Sequence, residues 1–526
     1  MFPWQRGVLV LVLAASTMLY VSRLDLAPVY LGGDEAHFAI GGHAIAQTGR
    51  NVNGDRWPLF FNLADPLGDP VKMPWGNTWY HPMLFYLIAL ALKVQPLSEA
   101  AVRVPNAIVG GLLTPLLLYL AARKLGFGRS GGFAALIIAS LTPVHFILSR
   151  EALDYTLAVP FACAWVWLVA DYAQRPRVSR AVATGLLLGI GCYSYIASWG
   201  AMPFLLGVTW LVYWQAGGPW MQAVLASGLA FAPAVVTAVV WLQAHPSVLH
   251  ETSERYRILE TNRPPGDQLR VAQFGASLPL YASYFEWSFL FREGGPNITT
   301  STGMIGVFLK PLAVLLPVGL WTLWRRRREV LGWPLVAGLL FAPLPAAMSG
   351  HEYAIQRAVL MVPFAALIGA CGFAALWNAR VPVWRAAAVL LACAAPFYIQ
   401  PFLEDYFGPH RHRSAFYFDN ANFQGIAAQI TQAGNVPAVY LKRDLDAAGA
   451  RWRFYMTTAD RRDLLARTFY VSDAGEADHA PVDARLVMYV ESAKIAALTA
   501  TGRWDVDAII RDVDGRESAA ILRKRN

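Results

Sequence analysis

Long apolar runs alternate with short polar segments through roughly the first 400 residues of the chain. Because a bilayer core takes about 20 apolar residues per helix, the pattern predicts about eleven membrane-spanning helices. Their expected ranges are 8–22, 102–122, 131–148, 156–170, 181–196, 201–214, 222–243, 304–324, 331–347, 358–377 and 386–400. The sequence therefore indicates an α-helical polytopic membrane protein.

One further apolar run, over residues 83–94, is too short to cross a bilayer comfortably. It follows His81-Pro82, and proline suits the first turn of a helix. We expect an interfacial or re-entrant helix here, on the outer face of the membrane.

The polar segments divide the chain into two expected domains. Residues 1–402 form the membrane module, with long outer loops at 25–101 and 244–303. Residues 403–526 are more polar and contain no spanning run. Helix-like segments (423–433, 461–466) alternate there with strand-like ones (438–441, 486–490), which predicts a C-terminal α/β domain outside the membrane. We expect this domain to dock on the membrane face and cap the outer loops.

The composition supports a membrane protein, because 56% of the residues are hydrophobic and only 15% are charged, against roughly a quarter in soluble domains. The net charge of +9 does not indicate nucleic-acid binding, since many basic residues cluster in short loops between apolar runs. With the N-terminus in the cytoplasm, these clusters all fall on the cytoplasmic side, where positive loops are favoured. They are Arg123-Lys124 with Arg129; Arg175, Arg177 and Arg180; Arg325 to Arg328; and Arg380 with Arg385.

The cysteines give no indication of a metal site or of a redox compartment. Cys163, Cys192, Cys371 and Cys393 all lie in apolar runs, and none has metal-ligand spacing. We expect all of them to be small buried hydrophobic residues.

An acidic pair, Asp34-Glu35, directly follows the first predicted span. Insertion into the membrane does not require these carboxylates. Asp34 follows two glycines and is suited to cap a helix, since Asp is a favoured N-cap residue. A carboxylate near the membrane interface is also suited to act as general base for an acceptor hydroxyl. Taken alone, the pair favours the capping role.

Other ionisable residues lie at the outer ends of predicted spans. Arg103 either snorkels to the interface or pairs with a carboxylate of the first loop. Asp154 either caps the next helix or belongs to a functional site, because ionisable residues at span boundaries are functional candidates. His351 and Arg357 precede the tenth span, and Arg357 either snorkels or binds a lipid phosphate as a planar fork.

The middle outer loop combines aromatic, acidic and basic side chains, among them Tyr284, Glu286 and Arg292. Aromatic rings stack on sugars, and carboxylates and arginines bond hydroxyls and phosphates. An aromatic belt at the membrane interface explains the rings equally well. No metal-binding motif is present in the sequence, although the available acidic residues leave a divalent metal possible.

Taken in order, these elements resemble the GT-C membrane glycosyltransferases. The resemblance is greatest to the superfamily of protein O-mannosyltransferases and lipid A aminoarabinose transferases, especially its bacterial, glycosyltransferase family 39-like members. The similar elements are Asp34-Glu35; His81-Pro82-Met83-Leu84; Arg103 through Gly110; Ser149-Arg150 with Leu153-Asp154; Tyr284-Phe285 with Phe289-Leu290-Phe291; and His351 with Arg357. The resemblance covers about residues 8–377 and does not extend clearly to the tail.

The chain departs from the family in two places. Met83 stands where the family has a second proline, and Tyr80-His81 stand where aminoarabinose transferases carry Glu-Lys. The second departure weakens any transfer of that lipid-phosphate contact, and of that sugar, to this chain.

The resemblance implies a sugar donor linked to polyprenyl phosphate and an acceptor that is a lipid, a glycan or a protein. Transfer would invert the anomeric carbon, with Asp34 as general base and Glu35 orienting Asp34 or pairing with an arginine. The enzyme would lie in the bacterial inner membrane, with the C-terminal domain in the periplasm. The implied substrate-binding residues are Arg103, Asp154, His81, Tyr284, Glu286, Arg292, His351 and Arg357.

Three other functions fit a polytopic chain. A transporter or flippase often shows repeated halves or helices broken at the midplane, and we find no internal repeat. A polysaccharide ligase or polymerase also acts on polyprenyl-linked sugars, but would lack the acidic pair directly after the first span. A non-catalytic scaffold for envelope assembly is the third alternative.

Overall fold

The computed structural model describes residues 3–62, 78–256, 271–326 and 329–525. The basic residues Arg327 and Arg328, and parts of both predicted outer loops, lie outside these ranges. The chain forms two compact units. The first, which we call the helical unit, comprises Met1–Ser22, Tyr80–Leu84 and Val104–Asp405. The second, the mixed unit, comprises Arg23–Trp79, Phe85–Arg103 and Tyr406–Asn526.

Helices dominate the chain as far as residue 407. Apart from the helix Gly33–Thr48, the α-helices in this part are Pro3–Val21, Met83–Ala91, Glu99–Ile108, Thr114–Lys124, Gly128–Ser140, Pro143–Leu148, Ala158–Gln174, Val178–Gly191, Ser198–Ala216, Trp220–Ala244, Ser247–Tyr256, Val271–Ser283, Pro311–Arg325, Trp333–Phe341, Leu344–Met348, Met361–Trp377 and Pro382–Phe407. Short π-helical turns at Val109–Leu113 and Ser288–Arg292, and 3-10 turns at Asp154–Leu157 and Ile355–Arg357, connect some of them.

Each predicted span overlaps at least one of these helices, and the short run after His81 forms the helix Met83–Ala91. Within the described ranges, five helical segments are long and apolar enough to cross a membrane. They are Trp4–Val21, Glu99–Lys124, Asp154–Gln174, Trp220–Ala244 and Pro382–Phe407. The count of about eleven spans and their orientation stay predictions.

The π-helical turn Val109–Leu113 allows close packing in the helical unit. A Cβ on Gly110 would overlap the side chain of Ser149, and one on Gly111 would meet Tyr20 of the first helix. Glycine is therefore required here by space rather than by backbone angle, as at many close helix contacts in membranes. This contact accounts for the glycine that ends the family-like element after Arg103.

Two of the predicted cytoplasmic loops meet at one end of the helix Ala158–Gln174. Lys124 and Arg180 both form salt bridges with Asp171 near that end. The segment Asp154–Gln174 has 21 residues, which at about 1.5 Å per residue is roughly the thickness of a bilayer core. Asp154 and Asp171 are therefore separated along the helix by roughly the thickness of a bilayer core.

The cysteine prediction is correct for Cys163, Cys192 and Cys371, which are buried, and wrong for Cys393, which is exposed. Cys393 belongs to the helix Pro382–Phe407, whose apolar window is only 17% buried. A helix with so much apolar surface left open suits contact with lipid, so an apolar residue on it need not pack inside the protein.

The mixed unit contains the helix Gly33–Thr48 and the C-terminal α/β domain. The helices of this domain are Pro409–Phe418, Phe423–Gln432, Ala448–Thr458, Arg462–Leu465 and Ser492–Ala500, with a 3-10 turn at Ala474–Ala477. Its strands follow two short earlier ones, β1 (Phe61–Asn62) and β2 (Trp79–Tyr80), and are β3 (Val439–Lys442), β4 (Thr468–Val471), β5 (Arg485–Tyr489), β6 (Trp504–Arg511) and β7 (Glu517–Lys524).

The domain is built on a five-stranded mixed sheet with the order β4-β3-β5-β7-β6. Strands β4, β3 and β5 are parallel, and β7 pairs antiparallel with both β5 and β6. Alternating residues of β5 and β7, such as Leu486, Met488 and Leu522, pack with Trp504 in the core. The predicted α/β class of this domain is confirmed, and the boundary predicted between residues 402 and 403 stays a prediction.

Candidate functional site

The acidic pair lies in the first turn of the helix Gly33–Thr48. Gly32 is the N-cap residue, and its carbonyl oxygen accepts the first helical hydrogen bond from the Ala36 amide. The Gly32 amide donates to Glu35 Oε2 at 2.9 Å. The expectation that Asp34 caps the helix is therefore wrong, because the helix begins one residue before it and Glu35 reaches back to the cap.

Glu35 forms a fully buried ion pair with Arg103. Arg103 Nε donates to Glu35 Oε1 and Arg103 Nη2 to Glu35 Oε2, both at 3.0 Å. The side chains are 0% and 1% exposed. A bidentate arginine–carboxylate pair fixes orientation as well as distance, so Glu35 has one well-defined position.

The remaining N–H groups of Arg103 hold the chain that precedes the acidic pair. Nη1 donates to the carbonyl oxygens of Leu24 and Pro28 at 3.0 Å, and Nη2 to that of Tyr30 at 2.7 Å. With the two bonds to Glu35, the guanidinium makes five hydrogen bonds, as many as its N–H groups allow. Of the two roles open to Arg103 in the sequence, pairing with the first loop is the one that the structure shows.

Asp34 differs from its neighbour because it is only partly buried. It lies in the first helical turn, where backbone N–H groups and the helix dipole favour a negative charge. The same helix is anchored further along by close packing, since a Cβ on Gly41 would overlap the ring of Phe85 and one on Gly42 would overlap Ile88. The helix therefore presents a carboxylate from a fixed backbone.

A second group of predicted residues gathers in the helical unit around Arg357. Arg357 Nη1 lies 2.8 Å from His351 Nδ1 and donates to Ser349 Oγ at 3.0 Å. Because Nη1 is a donor, His351 Nδ1 accepts, which places the proton of a neutral ring on Nε2. Arg357 also lines a small cleft with Tyr195 and Ser198. Unlike Arg103, it is partly exposed.

Tyr284 fastens the loop that carries His351. Its hydroxyl donates to the His351 carbonyl oxygen at 2.8 Å and accepts from the Ala354 amide at 3.0 Å. The ring is 0% exposed, and burial raises the pKa of Tyr284 to about 12. Tyr284 therefore stays neutral at physiological pH and acts in the structure as a brace for the loop.

Asp154 belongs to the same part of the helical unit. It is 4% exposed and begins the turn Asp154–Leu157, which packs against the turn Ile355–Arg357. Leu153, not Asp154, is the N-cap residue, so the capping role does not account for Asp154. The preceding backbone is held by Asn106, whose Nδ2 donates to the carbonyl oxygens of Glu151 and Leu153 at 2.7 and 2.5 Å.

The other predicted residues of the helical unit make their contacts with residues other than Arg357. Glu286 is exposed and accepts a 2.7 Å hydrogen bond from Tyr353, whose own pKa this bond raises to about 12. Arg292 pairs at the surface with the adjacent Glu293 at 3.2 Å. His81 is buried with its ring edge-on to Trp199, and burial lowers its pKa to about 3.

Arg150 belongs to the family-like element Ser149-Arg150 but is not among the predicted site residues. Arg150 is 0% exposed, and its Nη1 donates to the carbonyl oxygens of Tyr20 and Ser22 at 2.7 and 2.8 Å. Its placement at a span boundary was a signal of the kind that selected Asp154. Among the residues that the structure describes, no three His, Cys, Asp or Glu side chains are grouped so as to hold a metal ion.

Residues 77–242 match the family described as dolichyl-phosphate-mannose-protein mannosyltransferase. No curated protein matches the chain in sequence. The structure is similar to two crystal structures of ArnT from Cupriavidus metallidurans. The one bound to undecaprenyl phosphate has a TM-score of 0.58 and 16% identity, and the apo one has a TM-score of 0.56 and 17% identity. Each comparison covers 98% of this chain and 98% of the ArnT chain.

These matches confirm the fold class and the resemblance predicted from the sequence. The chain has the fold of the GT-C membrane glycosyltransferases, with a helical membrane region and a C-terminal α/β domain. The similarity extends over the tail, which carried no family-like motif.

Proposed function

We propose that the chain is an inverting membrane glycosyltransferase that moves a sugar from a polyprenyl-phosphate donor to an acceptor hydroxyl, with Asp34 as general base. One observation carries the proposal: the two carboxylates of the acidic pair have different environments. Glu35 is buried and fully engaged by Arg103, whereas Asp34 is partly exposed in the first turn of the same helix. The arrangement suits a fixed carboxylate beside a reactive one.

In the proposed reaction, the acceptor hydroxyl attacks the anomeric carbon from the face opposite the phosphate. Asp34 takes the hydroxyl proton as the new carbon–oxygen bond forms, and the bond between the anomeric carbon and the phosphate oxygen breaks. The polyprenyl phosphate leaves with the electron pair. A positioned base typically contributes about 10²–10⁴-fold to such a step, and one displacement inverts the anomeric configuration.

We assign Arg357 to the lipid phosphate. A leaving phosphate gains negative charge as the bond breaks, so a nearby cation lowers the barrier. Arg357 is partly exposed and oriented by His351 and Ser349, while Arg103 has no N–H group left for a substrate. In this proposal Arg103 positions the acidic pair, and Asp154 and Tyr284 complete the surroundings of Arg357.

The relatives support a polyprenyl-phosphate lipid as the donor carrier. The ArnT structure of similar fold is bound to undecaprenyl phosphate, and the matching family is described by a mannose carried on dolichyl phosphate. We propose the bacterial inner membrane as the location, with the N-terminus in the cytoplasm and the C-terminal domain in the periplasm. The acceptor is a lipid, a glycan or a protein that presents a hydroxyl on that face.

The test is transfer by the purified full-length protein in proteoliposomes. Undecaprenyl-phosphate donors carrying mannose, glucose or aminoarabinose are supplied with lipid A, glycan and peptide acceptors, and products are analysed by NMR. The proposal expects transfer from at least one donor with an inverted anomeric centre. Retention of configuration, or transfer that proceeds equally with nucleotide sugars in place of the lipid donor, would contradict it.

A transporter outcome is measured in the same vesicles. Movement of an intact lipid-linked sugar across the bilayer, without cleavage of its phosphate bond, would support the flippase alternative. The control variant in these vesicles is Asp171→Asn. It removes a carboxylate near the end of the Asp154–Gln174 segment that is far from the candidate residue Asp154. It is expected to leave the anomeric outcome of transfer unchanged.

A further inference from the structure

The helix Ala448–Thr458 of the C-terminal domain packs against the helix Gly33–Thr48 that begins with the acidic pair. Arg451 and Tyr455 are four residues apart on it, so they project from one face. Both are buried, at 1% and 8% exposure. Arg451 contacts the backbone just before the acidic pair, and Tyr455 contacts Glu99; each partner is more than 350 residues away in sequence.

Arg451 binds the backbone just before the acidic helix. Its Nε donates to the Leu31 carbonyl oxygen at 3.3 Å, and Nη2 donates to that of Phe418. Nη1 donates to the carbonyl oxygen and to Oδ2 of Asp446 at 2.6 and 3.0 Å. Its charge is balanced by Asp446 and by Asp419, whose Oδ1 lies 3.7 Å away. Arg451 thus ties Leu31, which precedes the acidic pair by three residues, to the C-terminal domain.

Tyr455 reaches the same pair by a second route. Its hydroxyl donates to Glu99 Oε1 at 2.7 Å, and Glu99 Oε2 lies 3.8 Å from Nη1 of Arg103. Arg103 in turn holds Glu35 through the bidentate contact. A continuous chain of buried polar groups therefore runs from the C-terminal domain to the carboxylate beside Asp34.

The backbone of the two elements is in contact as well. A Cβ on Gly33 would lie 3.0 Å from Ala447 Cβ and 3.6 Å from Asp446 Oδ2, so only glycine fits without displacement. Ala447 itself has a φ of 47°, a left-handed conformation that costs a non-glycine residue energy. The turn after β3 is thus held in an unfavourable conformation at the point where it meets the acidic helix.

We infer that Arg451 and Tyr455 are positioning residues that set the placement of Asp34, so that the C-terminal domain is a working part of the catalytic centre. The inference rests on the proposed role of Asp34 and deepens it. Neither residue touches the substrate in this account. They act through Leu31, Glu99 and Arg103, and a misplacement of about 1 Å at a catalytic group can cost 10²-fold in rate.

The test uses the full-length protein in proteoliposomes with two variants. Arg451→Lys keeps the charge but removes the fork, and Tyr455→Phe keeps the ring but removes the hydroxyl. The matched control is Arg485→Lys, which weakens a similarly buried pair in the same domain, with Asp507 at 2.9 Å and the Asp483 carbonyl oxygen at 2.6 Å. Arg485 lies in β5, where it binds Asp507 and the Asp483 backbone rather than the segment before the acidic helix.

Two readouts are taken for each variant: the kcat and KM of sugar transfer, and hydrogen exchange of amides 31–40 by mass spectrometry. We expect both test variants to lower kcat about tenfold or more, with little change in donor KM, and to speed exchange in that segment. The control is expected to change neither. Tyr455→Phe tests the hydrogen bond to Glu99 alone, and Arg451→Lys tests the contact with Leu31.

The outcomes separate the two proposals. Unchanged exchange at residues 31–40 in both variants would overturn the positioning role, whether or not the protein transfers sugar. Faster exchange with unchanged kcat would also overturn it and would count against Asp34 as the base. An equal loss of kcat in Arg485→Lys would show that the domain acts only through its stability. A wild-type protein without any transfer would remove the proposed function on which the inference rests.

Discussion

The contact between Arg103 and Glu35 gives the most quantitative prediction. Arg103→Lys retains the positive charge but replaces a planar fork by an ammonium with three donors. The native guanidinium makes five hydrogen bonds, so at least two are lost. At about 1 kcal/mol for a bond to a carbonyl and about 1.5–3 kcal/mol for one to a charged group, the loss is about 2–4 kcal/mol.

The change is measured by thermal unfolding of the detergent-solubilised protein. For the mixed unit, which is within the range of roughly 150–250 residues where Tm changes by about 2–4 °C per kcal/mol, this loss corresponds to a decrease in Tm of roughly 4–16 °C. The control is Arg503→Lys, whose pair with Asp478 at 3.0 Å is 58% and 39% exposed. An exposed pair contributes about 1 kcal/mol or less. Equal Tm changes in the two variants would refute the assignment of Arg103 as a buried structural anchor.

Three further predictions concern the helical unit. Tyr284→Phe removes a hydroxyl that bridges two backbone groups, and should cost about 1–3 kcal/mol in thermal unfolding, more than Tyr281→Phe, whose hydroxyl makes one exposed bond to Leu340. In the folded protein the pKa of His81 is about 3, so the ring stays neutral above that pH. In the unfolded chain the ring takes up a proton below about pH 6.5. Unfolding should therefore become easier by up to about 1.4 kcal/mol per pH unit as the pH falls through that window, and melting curves of His81→Gln between neutral and acidic pH should be flatter. Arg357→Lys should raise the donor KM by about tenfold or more, because an ammonium cannot bind phosphate as a fork. Arg292→Lys, which changes an exposed ion pair, should change the donor KM little. Equal effects of the two variants would show that the phosphate does not bind at Arg357.

The helices of the membrane region could be predicted because bilayer thickness sets the length of each apolar run. The runs predicted at 156–170 and 222–243 lie within the helical segments Asp154–Gln174 and Trp220–Ala244 of the structure. The exposure of Cys393 could not be predicted in this way, since hydropathy does not distinguish a lipid-facing apolar residue from a buried one.

The C-terminal domain shows which signals were used and which were missed. The helix Phe423–Gln432 and the strands β3 and β5 lie within a residue or so of the predicted segments. The hairpin β6-β7 was missed, although Asp514-Gly515 is a turn signal between the two strands and Gly515 has a φ of 86°. The alternation that begins β6 with Trp504-Asp505-Val506-Asp507 ends at the apolar residues 508–510, and residues 518–522 of β7 are all buried, so neither strand alternates over its whole length.

The candidate site residues stay predictions, and most of their contacts could not be predicted from the sequence. The pairing of Arg103 with a first-loop carboxylate was one of two stated alternatives, and the geometry selects Glu35. The contact between Arg451 and Leu31 joins residues 420 positions apart, so no local sequence pattern predicts it. Whether Gly32 or Asp34 caps the helix depends on a shift of two residues, which lies within the usual uncertainty of a helix end.

The central claim is that Asp34 takes the acceptor proton, and Asp34→Asn tests it most directly. The asparagine is nearly isosteric but cannot accept the proton. Single-turnover transfer by the properly inserted variant should be slower by about 10²–10⁴-fold, with donor affinity within about twofold of the wild type, because the carboxylate acts in the chemical step rather than in binding. Single-turnover transfer at the wild-type rate would contradict the account.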